Sequence, residues 1–143
     1  MKIVDLNVLL YAVNRDAVHH APVRLWWENA LSASEPIGVA WAVLLGFLRI
    51  ATNPRIFANP LGLQEVLGRV DIWIAHPNVR VVTETNQHWN ILRQLLRETG
   101  TYGNLTTDAH LASLAIAQGA TLVSCDADFS RFPNLRWENP IAS

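Results

Sequence analysis

Apolar residues occur along the chain in two alternating patterns. Short runs rich in β-branched and aliphatic residues predict buried strands, at residues 2–5, 37–40, 79–83 and 120–124. Between these runs, apolar residues spaced three or four apart predict amphipathic helices, over residues 6–13, 21–34, 41–52, 61–75, 84–99 and 107–118. Residues 131–137 supply a further short edge strand. Strands that alternate with helices indicate a parallel-dominated α/β sheet with helices on both faces.

The same spacing predicts which helical residues point inward. In the helix over residues 61–75, the expected inner side chains are Leu63, Val66, Leu67, Val70 and Ile74. In the helix over residues 84–99, they are Trp89, Leu92, Leu95 and Leu96. Adjacent residues of a helix do not share a face, so we expect one ring of the Trp26–Trp27 pair in the core and the other partly exposed.

A helix–turn–strand unit in the last third of the chain carries acids at both ends. Residues 107–118 have high helix propensity, and Gly119 stands where a helix C-cap belongs. A helix of about twelve residues rises about 17 Å and a five-residue strand returns by about 16 Å, so the two outer ends lie level. Asp108, at the start of the helix, and Asp126, after the strand, should therefore be neighbours.

Asp5 lies at the junction between the first predicted strand and the helix that follows it. It is either a metal-binding carboxylate at the carboxyl edge of the sheet or a cap for that helix. Right-handed β-α-β winding brings Asp5, Asp108 and Asp126 to the same sheet edge. Clustered carboxylates repel one another unless a cation lies between them. Oxygen-only ligands select magnesium or manganese, which orient phosphodiesters and lower the pKa of a bound water.

Length and charge place limits on the class of protein. With 143 residues, of which 50% are hydrophobic, the chain fits one domain over residues 1–143 with an ordinary core. The formal net charge of -1 gives no global basic field of the kind that marks many nucleic-acid-binding proteins. Most of the basic residues are arginine, the side chain suited to bidentate phosphate contacts.

Cysteine content and hydropathy indicate a compartment. The single Cys125 excludes an intramolecular disulfide and fits a reducing, cytoplasmic environment. The apolar N-terminal stretch is interrupted by Asp5 and Asn7 and lacks a small-residue cleavage site, which argues against a signal peptide. No uncharged window reaches the length of about 18 residues that a membrane helix requires. We therefore expect no membrane association.

Three sequence blocks, in order, resemble the toxin-type PIN-domain ribonucleases of the VapC family. They are V-D-L-N-V-L-L-Y-A, W-A-V-L-L-G-F-L-R-I-A-T-N-P-R-I-F and G-N-L-T-T-D-A-H-L-A-S-L-A-I-A-Q-G-A-T-L-V-S-C-D-A-D-F-S-R-F. The resemblance implies a PIN-domain-like three-layer α/β/α sandwich with a mainly parallel sheet of four or five strands. It also implies an endoribonuclease dependent on Mg²⁺, with Mn²⁺ as a substitute, that cleaves RNA, forms a homodimer and is inhibited by a cognate small antitoxin.

Motif position matches the first, third and fourth acids of the family to Asp5, Asp108 and Asp126. The resemblance makes these three the catalytic and metal-binding residues and adds Asp128 as an auxiliary metal-binding acid. Ser124 is the small hydroxyl residue often found just before the fourth acid, and Asn7 lies close enough to assist, so both are expected to bind substrate. Arg49 is the lone charge of a strongly apolar helix, and it either reaches water or points to the acidic edge, where it could hold a phosphate.

The chain departs from the family at one acid. Toxins of this type carry a second acid, usually Glu, in the helix that ends in F-L-R, and Leu44 occupies the position we align with it. No acid occurs from Trp41 to Thr52. The alternatives are a nuclease that works with three acids, a nuclease in which Asp128 substitutes, and an impaired PIN module that binds RNA or protein without cutting. We predict retained but modest cleavage.

Two other classes fit less well. Receiver-like and phosphatase-like α/β domains also gather acids around magnesium, but they need a Lys that pairs with phosphate. The only lysine here is Lys2, at the opposite end of the first strand. Nucleophilic catalysis by Cys125 lacks a histidine that the sequence places to activate the thiol.

Overall fold

The computed structural model of the chain describes residues 1–100 and 103–141. The strands are β1 (Lys2–Val4), β2 (Ile37–Ala40), β3 (Val79–Val82), β4 (Thr121–Val123) and β5 (Arg136–Glu138). The helices are α1 (Leu6–Val13), α2 (His20–Ser32), α3 (Trp41–Ala51), α4 (Leu63–Ala75), α5 (His88–Thr99) and α6 (Thr106–Gln118). Two short 3-10 helices span Gly103–Leu105 and Ala127–Arg131.

The strands form one five-stranded sheet in the order β3-β2-β1-β4-β5. Every pairing is parallel, including that of the edge strand β5 with β4. The expected α/β architecture with a mainly parallel sheet is confirmed, and the sheet has the larger of the two predicted strand numbers. Because β1 is central, the residue that follows it has a neighbouring strand on each side.

The direction of the crossovers explains why both faces of the sheet are covered. The connections from β1 to β2 and from β2 to β3 each lead to the next strand on the same side of β1. The connection from β3 to β4 runs in the opposite direction, past β2 and β1. With right-handed crossovers, α1 to α4 lie on one face, and α5 and α6 lie on the other. Contacts agree with this division, since α1 packs on α2 and α3, whereas α5 packs on α6.

Two predicted helix faces are partly wrong. In α4 the buried residues are Val66, Val70 and Trp73, while Leu63 is 62% exposed and Ile74 is 40% exposed. In α5 the buried residue is Leu95, and Trp89 is exposed. The expectation for the tryptophan pair of α2 is confirmed, because Trp27 is buried and Trp26 is only partly buried.

The carboxyl ends of β1, β2 and β4 lie at one edge of the sheet. Asp5 follows β1, Trp41 follows β2 and Ser124 follows β4. The left-handed backbone of Gly119, with φ of 62°, ends α6 and turns the chain into β4 as predicted. Across the described ranges, no helix is both long enough and apolar enough to span a membrane.

Candidate metal centre

Asp5 is held at the carboxyl edge by hydrogen bonds. Its Oδ1 accepts a hydrogen bond from the backbone N–H of Leu6 at 2.7 Å, so it caps α1. Its backbone N–H donates to the carbonyl of Val123 in the neighbouring β4. The side chain is buried, with 8% of the residue exposed. Asp5 therefore caps the helix and also presents its second oxygen to the sheet edge.

The second oxygen of Asp5 belongs to a network with Ser124 and Asn7. The Ser124 hydroxyl donates to Asp5 Oδ2 at 2.7 Å. The Asn7 amide donates to the Ser124 hydroxyl at 3.1 Å and to Asp5 Oδ2 at 3.3 Å. The Asn7 Oδ1 accepts from the backbone N–H of Cys125 at 3.1 Å. Asn7 thus connects the start of α1 to the loop that follows β4.

Ser124, expected to bind substrate, lies inside the protein beside Asp5. Ser124 is completely buried. Its hydroxyl orients Asp5 and accepts from the backbone N–H of Asp126 at 3.0 Å. Ser124 is therefore placed to orient Asp5 in this structure, and its expected substrate contact stays a prediction. The substrate contact expected of Asn7 stays a prediction, because its amide already holds Asp5 and Ser124.

Asp126 and Asp128 follow β4 in a short, ordered turn. Asp126 caps the 3-10 helix Ala127–Arg131 by accepting from the backbone N–H of Asp128 at 2.9 Å. Asp128 accepts from the Arg131 guanidinium at 3.3 Å. The turn thus fixes the orientation of the Asp126 side chain, and the Asp128 side chain points toward the Arg131 guanidinium.

Asp108 lies in the first turn of α6, where the positive end of the helix favours an anionic side chain. α6 begins at Thr106 after the 3-10 turn, and its N-cap residue Leu105 makes no side-chain cap hydrogen bond. Burial, followed by repulsion from Asp5, Asp126 and Asp128, raises the pKa of Asp108 to about 6. Asp108 is therefore close enough to the other three acids for their charges to change its pKa.

The pKa of Asp5 is also raised, chiefly by burial. The hydrogen bonds from Ser124 and Leu6 lower it, whereas repulsion from Asp126 raises it. Two carboxyl groups at this edge therefore hold their protons more tightly than usual when no cation is present. A bound cation would reverse this effect, since it favours the ionised form of both.

The donor chemistry of this edge fits a hard divalent cation. The donors are carboxylate oxygens, which Mg²⁺ and Mn²⁺ prefer. In the part of the chain that the structure describes, no three His, Cys, Asp or Glu side chains converge closely enough to surround one ion. Mg²⁺ is commonly held by one or two carboxylates, with waters filling the other positions, and the cluster fits that mode rather than a closed protein cage.

Arg131, which the sequence did not single out, forms an ion pair with one of these acids. Its guanidinium pairs with Asp128, and its charge lowers the pKa of Asp108. The i,i+3 spacing of Asp128 and Arg131 on a short helix is the signal that could have identified it. Arg49 is exposed in the last turn of α3. Its substrate contact stays a prediction, because Arg49 is not among the charges that shift the pKa of Asp5 or Asp108.

The position of Leu44 changes how the departure from the family is interpreted. Leu44 is completely buried in the hydrophobic core. Two residues later, a Cβ atom on Gly46 would lie 2.7 Å from a terminal methyl group of Leu6. Leu6 directly follows Asp5, so Gly46 is an α3 residue that packs against the start of α1. An acidic side chain at position 46 would enter the space that Leu6 now fills.

Two further features of the edge were not predicted. Trp41, the first residue of α3, is 51% exposed at the carboxyl end of β2. His88 and His110 join the starts of α5 and α6, with Nε2 of His88 2.9 Å from Nδ1 of His110. This contact is two residues from Asp108 and ties the first turn of α6 to α5. Burial and His88 lower the pKa of His110.

Cys125 lies between Ser124 and Asp126 but has unfavourable chemistry for a nucleophile. Burial, with a further contribution from Asp5, raises the pKa of its thiol to about 11. A thiol with this pKa is almost entirely protonated near neutral pH, and only the thiolate is a strong nucleophile. This agrees with the sequence, which places no histidine to activate the Cys125 thiol.

Comparison with known proteins identifies the family. Residues 2–135 match the family model of the PIN domain. Ribonuclease VapC37 of Mycobacterium tuberculosis is 46% identical over 142 residues, which cover 99% of each chain. Ribonuclease VapC33 of the same species is 39% identical over 141 residues, again 99% of each chain.

Solved structures share the fold at lower identity. VapBC2 from Rickettsia felis bound to a promoter DNA fragment aligns with a TM-score of 0.71 and 22% identity, covering 96% of this chain and 97% of that chain. VapC20 of Mycobacterium tuberculosis, a sarcin-ricin loop cleaving toxin, aligns with a TM-score of 0.66 and 20% identity, covering 95% and 99%. On the family match and the identity to curated relatives, this chain belongs to the PIN-domain family and, within it, to the VapC ribonucleases.

Proposed function

We propose that this chain is a divalent-metal-dependent endoribonuclease that hydrolyses RNA phosphodiester bonds at the acidic edge of its sheet. The observation that carries the proposal is the electrostatic coupling of Asp5, Asp108 and Asp126, which come from three separate segments. Mutually repelling carboxylates are costly for a fold. Their collection at one edge is understandable if a cation shared with substrate offsets the repulsion.

Each acid has its own part in the proposed mechanism. Asp5 is the fixed ligand, since Ser124 and Asn7 hold its Oδ2 in place. Asp108 is contributed by the first turn of α6, a separate segment of the chain. Asp126 lies on the turn after β4 and is directed by its contact with the backbone of Asp128. A Mg²⁺ or Mn²⁺ ion held by these residues would lower the pKa of a bound water and stabilise the negative charge that develops on the oxygens around phosphorus.

The proposed biological setting is a toxin–antitoxin pair in the cytoplasm. Structural neighbours include VapBC from Salmonella typhimurium bound to DNA and VapBC-1 from nontypeable Haemophilus influenzae, with TM-scores of 0.67 for both. By analogy, the chain forms a homodimer and is inhibited by a small VapB-like antitoxin. A toxin that cleaves cellular RNA acts where that RNA is, which is the reason to place it in the cytoplasm.

The direct test is cleavage of RNA by purified protein freed of antitoxin. We expect total cellular RNA to be cut at discrete sites in Mg²⁺ or Mn²⁺, with no cutting in a chelator. Asp108→Asn should abolish those cleavage ends, whereas Asp71→Asn, at an exposed position in α4, should leave them unchanged. Identical ends from wild-type protein and Asp108→Asn would contradict the proposal.

A second candidate function is an impaired PIN module that binds RNA or a protein without cutting. The observation that favours it is α3, which carries no acid and whose Gly46 leaves no side chain facing Leu6 beside Asp5. An acid can be introduced there with Gly46→Glu, combined with Leu6→Ala to provide space. A large gain in cleavage over Leu6→Ala alone would show that the native site is limited by the missing acid.

Leu44 is not a suitable position for this rescue. Leu44→Glu would bury an unpaired charge in the core and should destabilise the fold by about 3–5 kcal/mol. The adjacent Leu45 is 60% exposed, and Leu45→Glu should change the free energy of unfolding by less than about 0.5 kcal/mol. Urea denaturation of both variants measures the difference. Equal stabilities would contradict the burial of Leu44.

A further inference from the structure

An arginine lies beside a cluster of acids that must receive a negatively charged substrate. In the described parts of the chain, Arg131 is the one arginine that forms an ion pair with an acid of the cluster, with 3.3 Å between its Nη2 and Asp128 Oδ1. The chain has a net charge of -1 and no global basic field. An RNA phosphate that approaches this edge therefore needs a local source of positive charge.

The backbone around Arg131 is fixed by packing. Phe129 and Phe132 flank it on either side along the chain, and their exposed fractions are 0% and 3%. Their rings contact each other with centroids 5.9 Å apart. At the other end of the same turn, Asp126 caps the 3-10 helix. Arg131 thus extends from a short, anchored segment and not from a free loop.

The side chain of Arg131 is held but remains accessible. Its contact with Asp128 involves one guanidinium nitrogen, and 42% of the Arg131 side chain is exposed to solvent. A guanidinium presents five N–H donors in a planar fork that matches the oxygens of a phosphate. The ion pair therefore orients the fork and leaves donors available for a second anion.

Two hydrogen bonds link Arg131 to the acids of the cluster. Asp128 accepts from the Arg131 guanidinium at 3.3 Å, and the backbone N–H of Asp128 donates to Asp126 Oδ1 at 2.9 Å. An anion bound by Arg131 would therefore lie next to the proposed metal ligands and not on a remote surface.

We propose that Arg131 binds an RNA phosphate at the acidic edge, and that Asp128 positions Arg131 instead of ligating the metal. The proposal rests on the ribonuclease function proposed above. In this proposal the exposed Asp128 pairs with Arg131. Asp128 therefore does not replace the acid that is missing from α3.

The first experiment measures RNA binding without cleavage. In an Asp5→Asn background, fluorescence anisotropy with a short single-stranded RNA gives the dissociation constant as a function of salt. Adding Arg131→Met should weaken binding several-fold and reduce the salt slope by about 0.7, the value for one phosphate contact on a single strand. Adding Arg24→Met is the matched control, because Arg24 also forms an exposed ion pair, with Glu28 four residues away.

The proposal requires that Arg131→Met and Arg24→Met differ in RNA affinity and in salt slope. Arg24→Met should leave the affinity and the salt slope unchanged, and Arg131→Lys should keep the slope while losing part of the affinity gained from the planar fork. If Arg131→Met binds RNA with the same affinity and slope as its parent, Arg131 is only a surface ion-pair partner and the proposal is overturned.

The second experiment separates the two roles open to Asp128. Titration of Mn²⁺ against the otherwise wild-type protein, by calorimetry or electron paramagnetic resonance, compares Asp128→Asn with Asp108→Asn. We expect Asp128→Asn to keep its Mn²⁺ affinity within about threefold, whereas loss of a ligand or its support costs about 10–100-fold. Arg131→Met should bind Mn²⁺ at least as tightly as wild type, because it removes a positive charge from the site. A loss of tenfold or more in Asp128→Asn would overturn the assignment.

Cleavage kinetics distinguish this proposal from the proposed function itself. Arg131→Met and Asp128→Asn should both raise KM for RNA more than they lower kcat. If the wild-type protein cuts no RNA in either metal, the ribonuclease function fails, while the binding and Mn²⁺ arms still decide the role of Arg131. If wild type cuts and neither variant changes KM, the function stands and the role of Arg131 fails.

Discussion

The acidic edge has a closed half and an open half, and the two are built differently. In the closed half, Asp5 is 8% exposed and Ser124 is completely buried, and hydrogen bonds from Asn7 join them. In the open half, the side chains of Asp128 and Arg131 are 47% and 42% exposed and are held by a single ion pair. The closed half lies directly after β1 and β4, whereas the open half lies in the 3-10 helix Ala127–Arg131 that comes later in the chain.

The difference separates two requirements of such a site. A metal ligand must be held within narrow geometric limits by supporting hydrogen bonds, and burial of Asp5 with Ser124 provides that support. Groups that receive a flexible polymer need to be accessible, and an exposed ion pair costs little to rearrange. We therefore expect the closed half to determine metal affinity and the open half to determine RNA affinity.

The largest expected effect comes from the buried carboxylate. Asp5→Asn should lower kcat/KM by about a thousandfold or more, because loss of metal-derived charge stabilisation is worth several kcal/mol. Asparagine caps helices as well as aspartate does, so the metal-free fold should not be destabilised. Stopped-time cleavage assays and urea denaturation measure the two quantities. A variant that is both inactive and unfolded would show that Asp5 is primarily structural.

Removal of the hydroxyl that supports Asp5 should have the next largest effect. Ser124→Ala should weaken Mg²⁺ or Mn²⁺ binding by about 10–100-fold, as loss of a supporting contact to a ligand usually does. Without this hydrogen bond, the pKa of Asp5 rises further, since Ser124 is the largest influence that lowers it.

A second buried serine supplies the control for that prediction. Ser113 is also completely buried, and its hydroxyl bonds to the carbonyl of Ala109 within α6. Ser124→Ala and Ser113→Ala should each cost about 1 kcal/mol of stability, but only Ser124→Ala should lose metal affinity. Equal metal affinities in the two variants would remove Ser124 from the site.

The pKa of Asp108 predicts an unusual pH dependence for the metal-free protein. A carboxyl whose folded pKa is raised from 3.8 to about 6 binds its proton more tightly when folded. Its contribution to stability is therefore present at acid pH and is lost as pH rises through about 6. The same proton competes with the cation, so metal affinity should fall as pH drops below about 6.

Asp108→Asn isolates this contribution from the other titrating groups. In a chelator, the difference in free energy of unfolding between wild type and Asp108→Asn should shift against wild type as pH rises from 4 to 6. Saturating Mg²⁺ should reduce that shift, because a bound cation favours the ionised carboxylate. A difference that is independent of pH would show that neither burial nor the neighbouring acids raise the pKa of Asp108 in the folded protein.

Local sequence patterns predicted the elements better than the faces that these elements bury. The bounds of α1 and β2 agree with the prediction, because a strand ending at Asp5 and a break at Pro36 leave little choice. In α4, two apolar stripes were available, and the one buried contains Trp73. Trp73 packs edge-on against Trp27 and Phe47, at 5.9 Å and 4.8 Å between ring centroids. Which stripe a helix buries depends on partners distant in sequence, so spacing alone could not choose between them.

The same reason limits what the sequence could say about the site. The edge positions of Asp5, Asp108 and Asp126 followed from chain direction and right-handed winding, which are general rules. The support of Asp5 by Ser124 joins residues far apart in the chain, and the space facing Gly46 depends on how Leu6 packs. Such contacts become visible only when the packed chain is available.

The smallest expected effect concerns a residue inside the closed half whose backbone matters more than its side chain. The backbone N–H of Cys125 donates to Asn7 Oδ1 at 3.1 Å, and this bond is independent of the thiol. Cys125→Ala should therefore keep cleavage within about twofold of wild type, in the range of a substitution that removes no functional contact. Because its thiol pKa is raised to about 11, Cys125 should react slowly with iodoacetamide near neutral pH. Rapid alkylation together with a large loss of cleavage in Cys125→Ala would make the thiol a participant, and the closed half would then depend on more than hydrogen bonds to Asp5.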